Sequence, residues 1–461
     1  MQLSRRHFTI GSAASLAFGG AARVAHAQGA QTYRSEVPGY GPLVPDPAGL
    51  FDLPEGFLYT VISTACEPMD DGYVTPDKFD GMGCFGIDAE RVALVRNHEL
   101  KPEDRELGPT GGFQRLEARL RAEAHFGVDN GGSVIPGGTS TMVYNLRTGR
   151  REQQYLSLVG TAVNCAGGAT PWGSWLSCEE SVLAPADVRQ AHGWVFEVPS
   201  QHRGLVKPVP LTAMGRFRHE AAAVDPRTGI IYLTEDRDDG LFYRFIPNVR
   251  DNLAEGGRLQ ALALRDSRGG ADTRNWSQRR FPAATPIAVR WLDLNDTASP
   301  KDDLRLRGHQ AGAAVFARGE GIHFGSGEMF FTCTSGGAAK LGQIMRYRPG
   351  AEERGAGEGR EPGTLELFVE STDSTLLDYG DNLTVAPWGD LIICEDRTDG
   401  EINHLRGVTP QGKIYTFAKL HADTELAGVC FDPAGQTMFV NVYRPGKTLA
   451  ITGPWARIRR S

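Results

Sequence analysis

Six stretches of the chain repeat one pattern: a polar cluster, a short apolar run, turn residues, a second apolar run and another polar cluster. The clearest copy reads Arg218-His219-Glu220, AAAVDPRTGIIYLT, Glu235-Asp236-Arg237. A second reads Asp381-Asn382, LTVAPWGDLIIC, Glu395-Asp396-Arg397, and a third reads Asn164-Cys165, AGGATPWGSWLSC, Glu179-Glu180. The others run from Asp80 to Asn97-His98-Glu99, from Arg318-Gly319-Glu320 to Thr332-Cys333-Thr334, and from Glu425 to Asn441-Val442-Tyr443-Arg444. Apolar runs broken by Asp-Pro-Arg-Thr-Gly, Pro-Trp-Gly or Asp-Pro-Ala-Gly predict β-hairpins. A hairpin reverses direction, so both of its polar ends lie at one edge.

Further strands are expected at Thr141–Leu146, Trp194–Val198, Leu241–Ile246, Gln343–Tyr347 and Lys413–Phe417. They would form the outer strands of each unit. One amphipathic helix is expected within Gly112 to Phe126, where Leu116 and Leu120 have helical spacing. Residues 28 to about 50, rich in Pro, Gly and Ala, read as a surface segment. The polar stretch from Arg250 to Asp303 reads as an insertion, and residues 351–363 as a charged, Gly-rich loop. Strand-rich units recurring at intervals of about 40–100 residues indicate a β-propeller. The fold expected is all-β: a six-bladed β-propeller with loop insertions, with polar hairpin ends converging on one central mouth.

The chain has 461 residues and a net charge of −7, which argues against a general binder of nucleic acid or anionic membrane. Its start reads as a targeting segment. Ser4-Arg5-Arg6-His7-Phe8-Thr9 precedes a modestly apolar run from Ile10 to Ala22, and Ala25-His26-Ala27 fits a small-x-small cleavage site. The pattern is similar to a twin-arginine export signal. Residues 1–27 are therefore read as signal peptide, and 28–461 as one domain handed to the twin-arginine export machinery and released to the periplasm or secreted. No other segment approaches the roughly 20 apolar residues of a membrane span. Seven cysteines is an odd number for an exported chain, so at least one is a free thiol or a ligand. Cys66 and Cys84 are close enough in sequence to pair. Cys178, Cys333 and Cys394 recur near second-strand ends and read as packed small hydrophobes. Cys165 stands apart, in a polar, Gly-rich segment.

The converging hairpin ends carry an excess of acids. First-strand starts offer Asp80, Asn164-Cys165, His219-Glu220, Arg318 and Glu320, Asp381-Asn382, and Glu425; second-strand ends add Asn97-His98-Glu99, Glu179-Glu180, Glu235-Asp236 and Glu395-Asp396. Like charges at one mouth repel and need cations unless protonated. Hard ions such as calcium suit the Asp, Glu and Asn set, and a thiolate among them points to a transition metal as well. For a single acid, strand capping or pairing with Arg218, Arg237, Arg397 or Arg444 is the simpler account. That account gives no reason for acids to recur in register. Such a cluster beside Arg318 suits phosphoester hydrolysis, with metals at the phosphoryl oxygens and an arginine gripping phosphate. A calcium-dependent lactonase or a non-catalytic binding propeller fits the same scaffold, although neither needs a thiolate.

Several motifs carry a resemblance. NCAGG with TPWGSWLSCEE, RFRHEAAAVDP with YLTEDR and LFYRFIP, RGEG with FTCTSGG, GDNLTVAPWGDLIICED, and ELAGVCFDPAG with ITGPW together resemble the PhoX family of exported alkaline phosphatases. The likeness is strongest over 160–247 and 318–455. It implies a six-bladed propeller, a mixed Fe3+ and Ca2+ cluster at its centre and small phosphomonoester substrates. Matched motif by motif, Cys165, Glu220 and Glu320 resemble iron ligands. Asp381, Asn382 and Glu425 resemble ligands of shared or calcium sites, and Arg318 resembles the phosphate-binding arginine. His219, Asn97, His98, Glu99, Glu179, Glu180, Glu235 and Glu395 stand as further ligands or their supports.

Overall fold

A computed structural model describes residues 33–460 except 268, 354, 356, 398, 399 and 401. The export signal expected over 1–27 lies outside the described residues. Each hairpin forms where its apolar runs and turn place it, and each seeds an antiparallel sheet that grows outward. Phe79–Gly86 and Arg91–His98 are extended by Gly137–Asn145 and Arg150–Thr161, and Asn164–Ala169 and Ser174–Glu179 by Val195–Pro199. His219–Val224 and Ile231–Glu235 are followed by Phe242–Pro247, Gly257–Leu264 and Ile287–Asp293. Gly319–Gly325 and Glu328–Cys333 are followed by Gln343–Arg348 and Thr364–Glu370. These two meanders merge into one nine-stranded sheet, because Ile287 and Ala288 pair with Leu365 and Thr364 at their outer edges.

The chain's beginning completes its last two sheets. Gly380–Val385, Leu391–Glu395, His404–Val408 and Ile414–Leu420 are joined by Phe51–Pro54 and then Leu43–Val44. Leu426–Phe431, Thr437–Val442 and Lys447–Thr452 accept Leu58–Thr64 as their outermost strand. The first strand of every hairpin packs beside the first strand of the next, and Leu426–Phe431 packs back against Phe79–Gly86, so the inner strands close a ring. The arrangement is all-β and propeller-like.

The core lies between successive sheets rather than at the axis. Phe85, Ala93 and Val95 meet Trp175, Phe196 and Val198; Leu176 and Val195 meet Ala222, Ile231 and Leu233. Tyr232 and Phe242 meet Phe331 and Met345; Ile344 and Phe330 meet Leu383 and Ile393. Ile392 and Leu405 meet Met438 and Val440, and Phe439 and Ile62 meet Met82 and Leu94. The inner and second strands are largely buried on both faces, which favours the Val, Ile and aromatic content of these runs. Cys178, Cys333 and Cys394 are buried in these layers as small hydrophobes.

Two sequence expectations are corrected, and the expected helix is found inside its range. The stretch from Arg250 to Asp303 is no mere insertion: Gly257–Leu264 and Ile287–Asp293 are outer strands of the third sheet. Ile287–Asp293 also pairs with Thr364–Glu370, far along the chain, so no local pattern announces it. The expected helix is confined to α1, Gln114–Ala122, and a second short helix, α2, spans Leu304–Gln310. Cys66 and Cys84 are unpaired thiols.

Candidate metal centre

Every inner strand has the same irregularity near its start. Pairing with the second strand slips between Phe79 and Met82, Asn164 and Gly167, His219 and Ala222, Gly319 and Ile322, Gly380 and Leu383, and Ala427 and Cys430. A bulge bends its strand and re-aims the side chains within it. In five of these strands the second residue is Asp80, Cys165, Glu220, Glu320 or Asp381. In the last that place is Ala427, and the acid, Glu425, precedes the strand. A second tier follows the second strands. Backbone N–H groups of Glu99, Glu180, Asp236, Thr334, Asp396 and Tyr443 donate to the carbonyls of Lys78, Val163, Arg218, Arg318, Tyr379 and Glu425. Four of those acceptors, Lys78, Val163, Arg318 and Tyr379, hold left-handed φ values of 51°, 54°, 54° and 49°. Strain of this kind, of order 1–3 kcal/mol per residue, concentrates where a site is being shaped.

The two tiers meet as three potential cation sites. Ligand atoms of Glu99, Cys165 and Glu180 lie within 4.8 Å of one another, as do those of Asp80, Glu99 and Glu425, and those of Glu220, Glu320 and Asp381. Cys165 Sγ is 3.6 Å from Asp80 Oδ2. Ionised oxygens at such spacing repel by roughly 3–4 kcal/mol per pair at an effective dielectric of 20. Burial, then the neighbouring acids, push Asp80, Glu220, Glu320 and Glu425 well above the usual carboxylate range. Asp381 is pushed up to about 8, mainly by burial and then by Asp396. Burial followed by Asp80 and Glu220 raises the Cys165 thiol. Among the described residues, Asp80 Oδ1 and both Glu220 oxygens are buried without a hydrogen-bond partner. Buried polar atoms are ordinarily satisfied. These orphaned oxygens, in register with a thiol, fit a donor set for cations.

Protein groups position the rest. Tyr443 Oη donates to Glu99 Oε2 at 2.5 Å. Arg318 donates Nε and Nη2 to Asp236 at 2.8 and 3.0 Å, and Nη2 also to Glu320 at 2.7 Å. Asn382 lies beside the cluster: it donates to Asp381 Oδ1 at 3.1 Å and accepts from Gly428 N–H at 2.8 Å.

Other expected site residues face away. Glu179 accepts from Ala162, Gly193 and Trp194 N–H groups and pairs with His192 at 2.6 Å. Glu235 accepts from Leu241 N–H and Tyr243 Oη. Glu395 is held by His404 and Arg406. Asn97 donates to the carbonyls of Cys165 and Ala166, and His98 Nε2 meets Ser140 Oγ. His219 is stacked on Phe217, with Nε2 on the Gly215 carbonyl, and burial lowers it to about 3. The cause is the period of two along a strand. If Glu180 turns to the axis, Glu179 turns to the sheets, and Glu235 and Glu395 do likewise beside Asp236 and Asp396. Tyr443 and Lys101 were not read as site residues. Register against the other repeats signals Tyr443, whereas Lys101 has no such signal.

A cavity of about 400 Å³ opens beside Glu99 and Glu180, lined also by Lys101, Val163, Leu183 and Arg218. A second, of about 420 Å³, runs along the inner strands among Ala166, Ala222, Ile322 and Val429. Its lining holds no charged side chain, whereas the first borders Glu99 and Glu180 of the potential cation sites.

Ring and donor set together define a propeller-like protein built around a polar, cation-competent mouth. The family model of alkaline phosphatase PhoX matches residues 38–446, and the chain belongs to that family. It is a phosphoric ester hydrolase. Among solved structures, Pseudomonas fluorescens PhoX in complex with vanadate, a transition state analogue, is similar at 19% identity and a TM-score of 0.63, over 91% of this chain and 98% of that one. A gluconolactonase from Xanthomonas campestris is similar at 13% identity and a TM-score of 0.42, over 92% of this chain and 100% of that one. No curated protein matches the chain.

Proposed function

We propose that this chain is an exported metal-dependent phosphatase that hydrolyses small phosphomonoesters at a calcium and iron cluster, at the centre of a six-bladed propeller spanning 28–461. Family membership supports the reaction class, and the vanadate bound by the Pseudomonas fluorescens protein is a mimic of phosphoryl transfer. One observation carries the metal: among the described residues, Asp80 and Glu220 hold buried oxygens with no hydrogen-bond partner, within a cluster that includes the Cys165 thiol. The ring of inner strands supports the blade count.

Cys165, with Glu99 and Glu180 in reach, supplies a soft donor that suits iron and not calcium. Glu220 and Glu320, which the family resemblance assigns to iron, share an all-oxygen group with Asp381, and Asp80, Glu99 and Glu425 form another. Hard donors of that kind suit calcium. Bound there, the cations supply Lewis-acid charge to the phosphoryl and leaving oxygens. Arg318 fixes the Asp236 and Glu320 carboxylates and keeps Nη1 for a phosphoryl oxygen. The cavity beside Glu99 admits the ester. A lactonase would leave Cys165 without a role.

The test is hydrolysis of para-nitrophenyl phosphate by natively exported protein, with calcium and after chelation, alongside elemental analysis. Activity that vanishes on chelation and returns with metal is expected. Full metal occupancy with no activity on several phosphomonoesters rejects the proposal.

A further inference from the structure

Arg218 occupies the place in its repeat that Arg318 occupies in the next. Each immediately precedes an inner strand and accepts a backbone hydrogen bond from the residue after the second strand, Asp236 and Thr334 respectively. The two guanidiniums are used differently. Arg318 spends Nε and Nη2 on carboxylates. Among the described residues, Arg218 is paired with one carboxylate, Glu180 Oε1 at 3.5 Å from Nη1, beyond good hydrogen-bond length. Its Nε is buried and has no hydrogen-bond partner among the described residues. An arginine fork with open donors suits a phosphoryl group.

Position agrees with this chemistry. Arg218 lines the 400 Å³ cavity beside Glu99 and Glu180, whereas Arg318 does not. Lys101 lines the same cavity. It is exposed and makes no ion pair among the described residues, whereas Lys78 is paired with Asp104 at 2.7 Å. The cavity thus joins two carboxylates of the metal centre to two cations, with Glu103 and Asp187 also in its lining.

We propose that this bay is the substrate's seat, with Arg218 gripping the phosphoryl oxygens and Lys101 meeting a negative charge on the leaving group. Phosphomonoesters whose leaving group carries a carboxylate are then favoured over neutral ones. The inference rests on the phosphatase reading and adds to it the substrate class and a second phosphate-binding arginine.

The test uses metal-replete, full-chain protein. Arg218→Gln is expected to raise KM for para-nitrophenyl phosphate and the inhibition constant of inorganic phosphate together, by about 10- to 100-fold, the usual range for a lost charged hydrogen bond. Arg218→Lys recovers part of this, and both variants keep their metal. Lys101→Gln is expected to lower kcat/KM for 3-phosphoglycerate about 3-fold relative to glycerol 1-phosphate, as suits an exposed charge pair. Phosphate inhibition unchanged in Arg218→Gln overturns the proposal. So does loss of metal in that variant, since the guanidinium would then serve Glu180 instead. An equal effect of Lys101→Gln on both esters removes the claimed preference. A wild type inactive on every phosphomonoester sinks the phosphatase reading itself, a separate outcome from an active wild type with an indifferent Arg218 variant.

Discussion

Neighbouring acids in this chain do opposite work. Among the described residues, Glu220 sits in a bulge with both oxygens unpartnered, whereas Glu235, across the same hairpin, has Oε2 held by Tyr243 and Leu241 and leaves Oε1 alone unpartnered. Glutamine in place of each separates the two roles. Glu220→Gln should lose bound metal, and most activity with it, while keeping the fold. Glu235→Gln should keep metal and activity, and shift denaturant stability by no more than about 1–3 kcal/mol, the range for one perturbed buried hydrogen-bonding group. Cys165→Ser should lose iron selectively, since serine offers no soft donor. Elemental analysis beside urea unfolding reads all three; metal retained in Glu220→Gln and Cys165→Ser contradicts the assignment. Arg218 was legible in sequence only as a counter-ion. Its open donors and its cavity come from the fold.

At the scale of the element, the inner strands do two jobs. Their bulged starts aim ligands, and their remaining lengths pack closely against each other. A Cβ on Gly168 would sit 2.0 Å from the Ala222 carbonyl oxygen of the next inner strand, and one on Gly167 would sit 1.9 Å from the Leu176 carbonyl oxygen. Glycine there is required by approach, not by a turn. Gly168→Ala should therefore destabilise by roughly 1–3 kcal/mol, the ordinary cost of overpacking. It should also lower metal affinity, because Cys165 lies on the same strand. Thermal melting with and without calcium checks both; a variant as stable as wild type shows that the strands yield. Hairpins were readable because alternation and turn chemistry are local. The outer strand Ile287–Asp293 was not, because its pairing with Thr364–Glu370 is decided across a long separation.

For the whole molecule, the ring gathers charge that it cannot hold alone. Asp381 is raised to about 8, and Glu220, Glu320 and Glu425 are raised too, all chiefly by burial. A carboxyl whose folded value lies above its unfolded one stabilises fully below the unfolded value, near 4, and loses that contribution as pH rises through the folded one. Chelated protein should thus melt at lower temperature at pH 8 than at pH 5. Cations need ionised donors, so calcium should raise the melting temperature more at pH 8 than at pH 5. Calorimetric scans at both pH values test this. Chelated protein equally stable at both would mean that the acids are not forced together. Among the described residues no helix is long and apolar enough to cross a membrane.

Local chemistry wrote the hairpins, the turns, the recurrence of acids at hairpin ends and the singular Cys165 into the sequence, and their motifs carried the family. Which member of each acidic pair turns to the axis was settled by bulges and register. Glu179 and Glu180 differ only in facing, and facing is fixed when a strand pairs. Completion of the last sheet by Leu58–Thr64, the meeting of Asp80 with Glu425, and the cavity that unites Arg218 with Lys101 required tertiary structure. Those contacts join segments far apart in the chain, where no local pattern reaches.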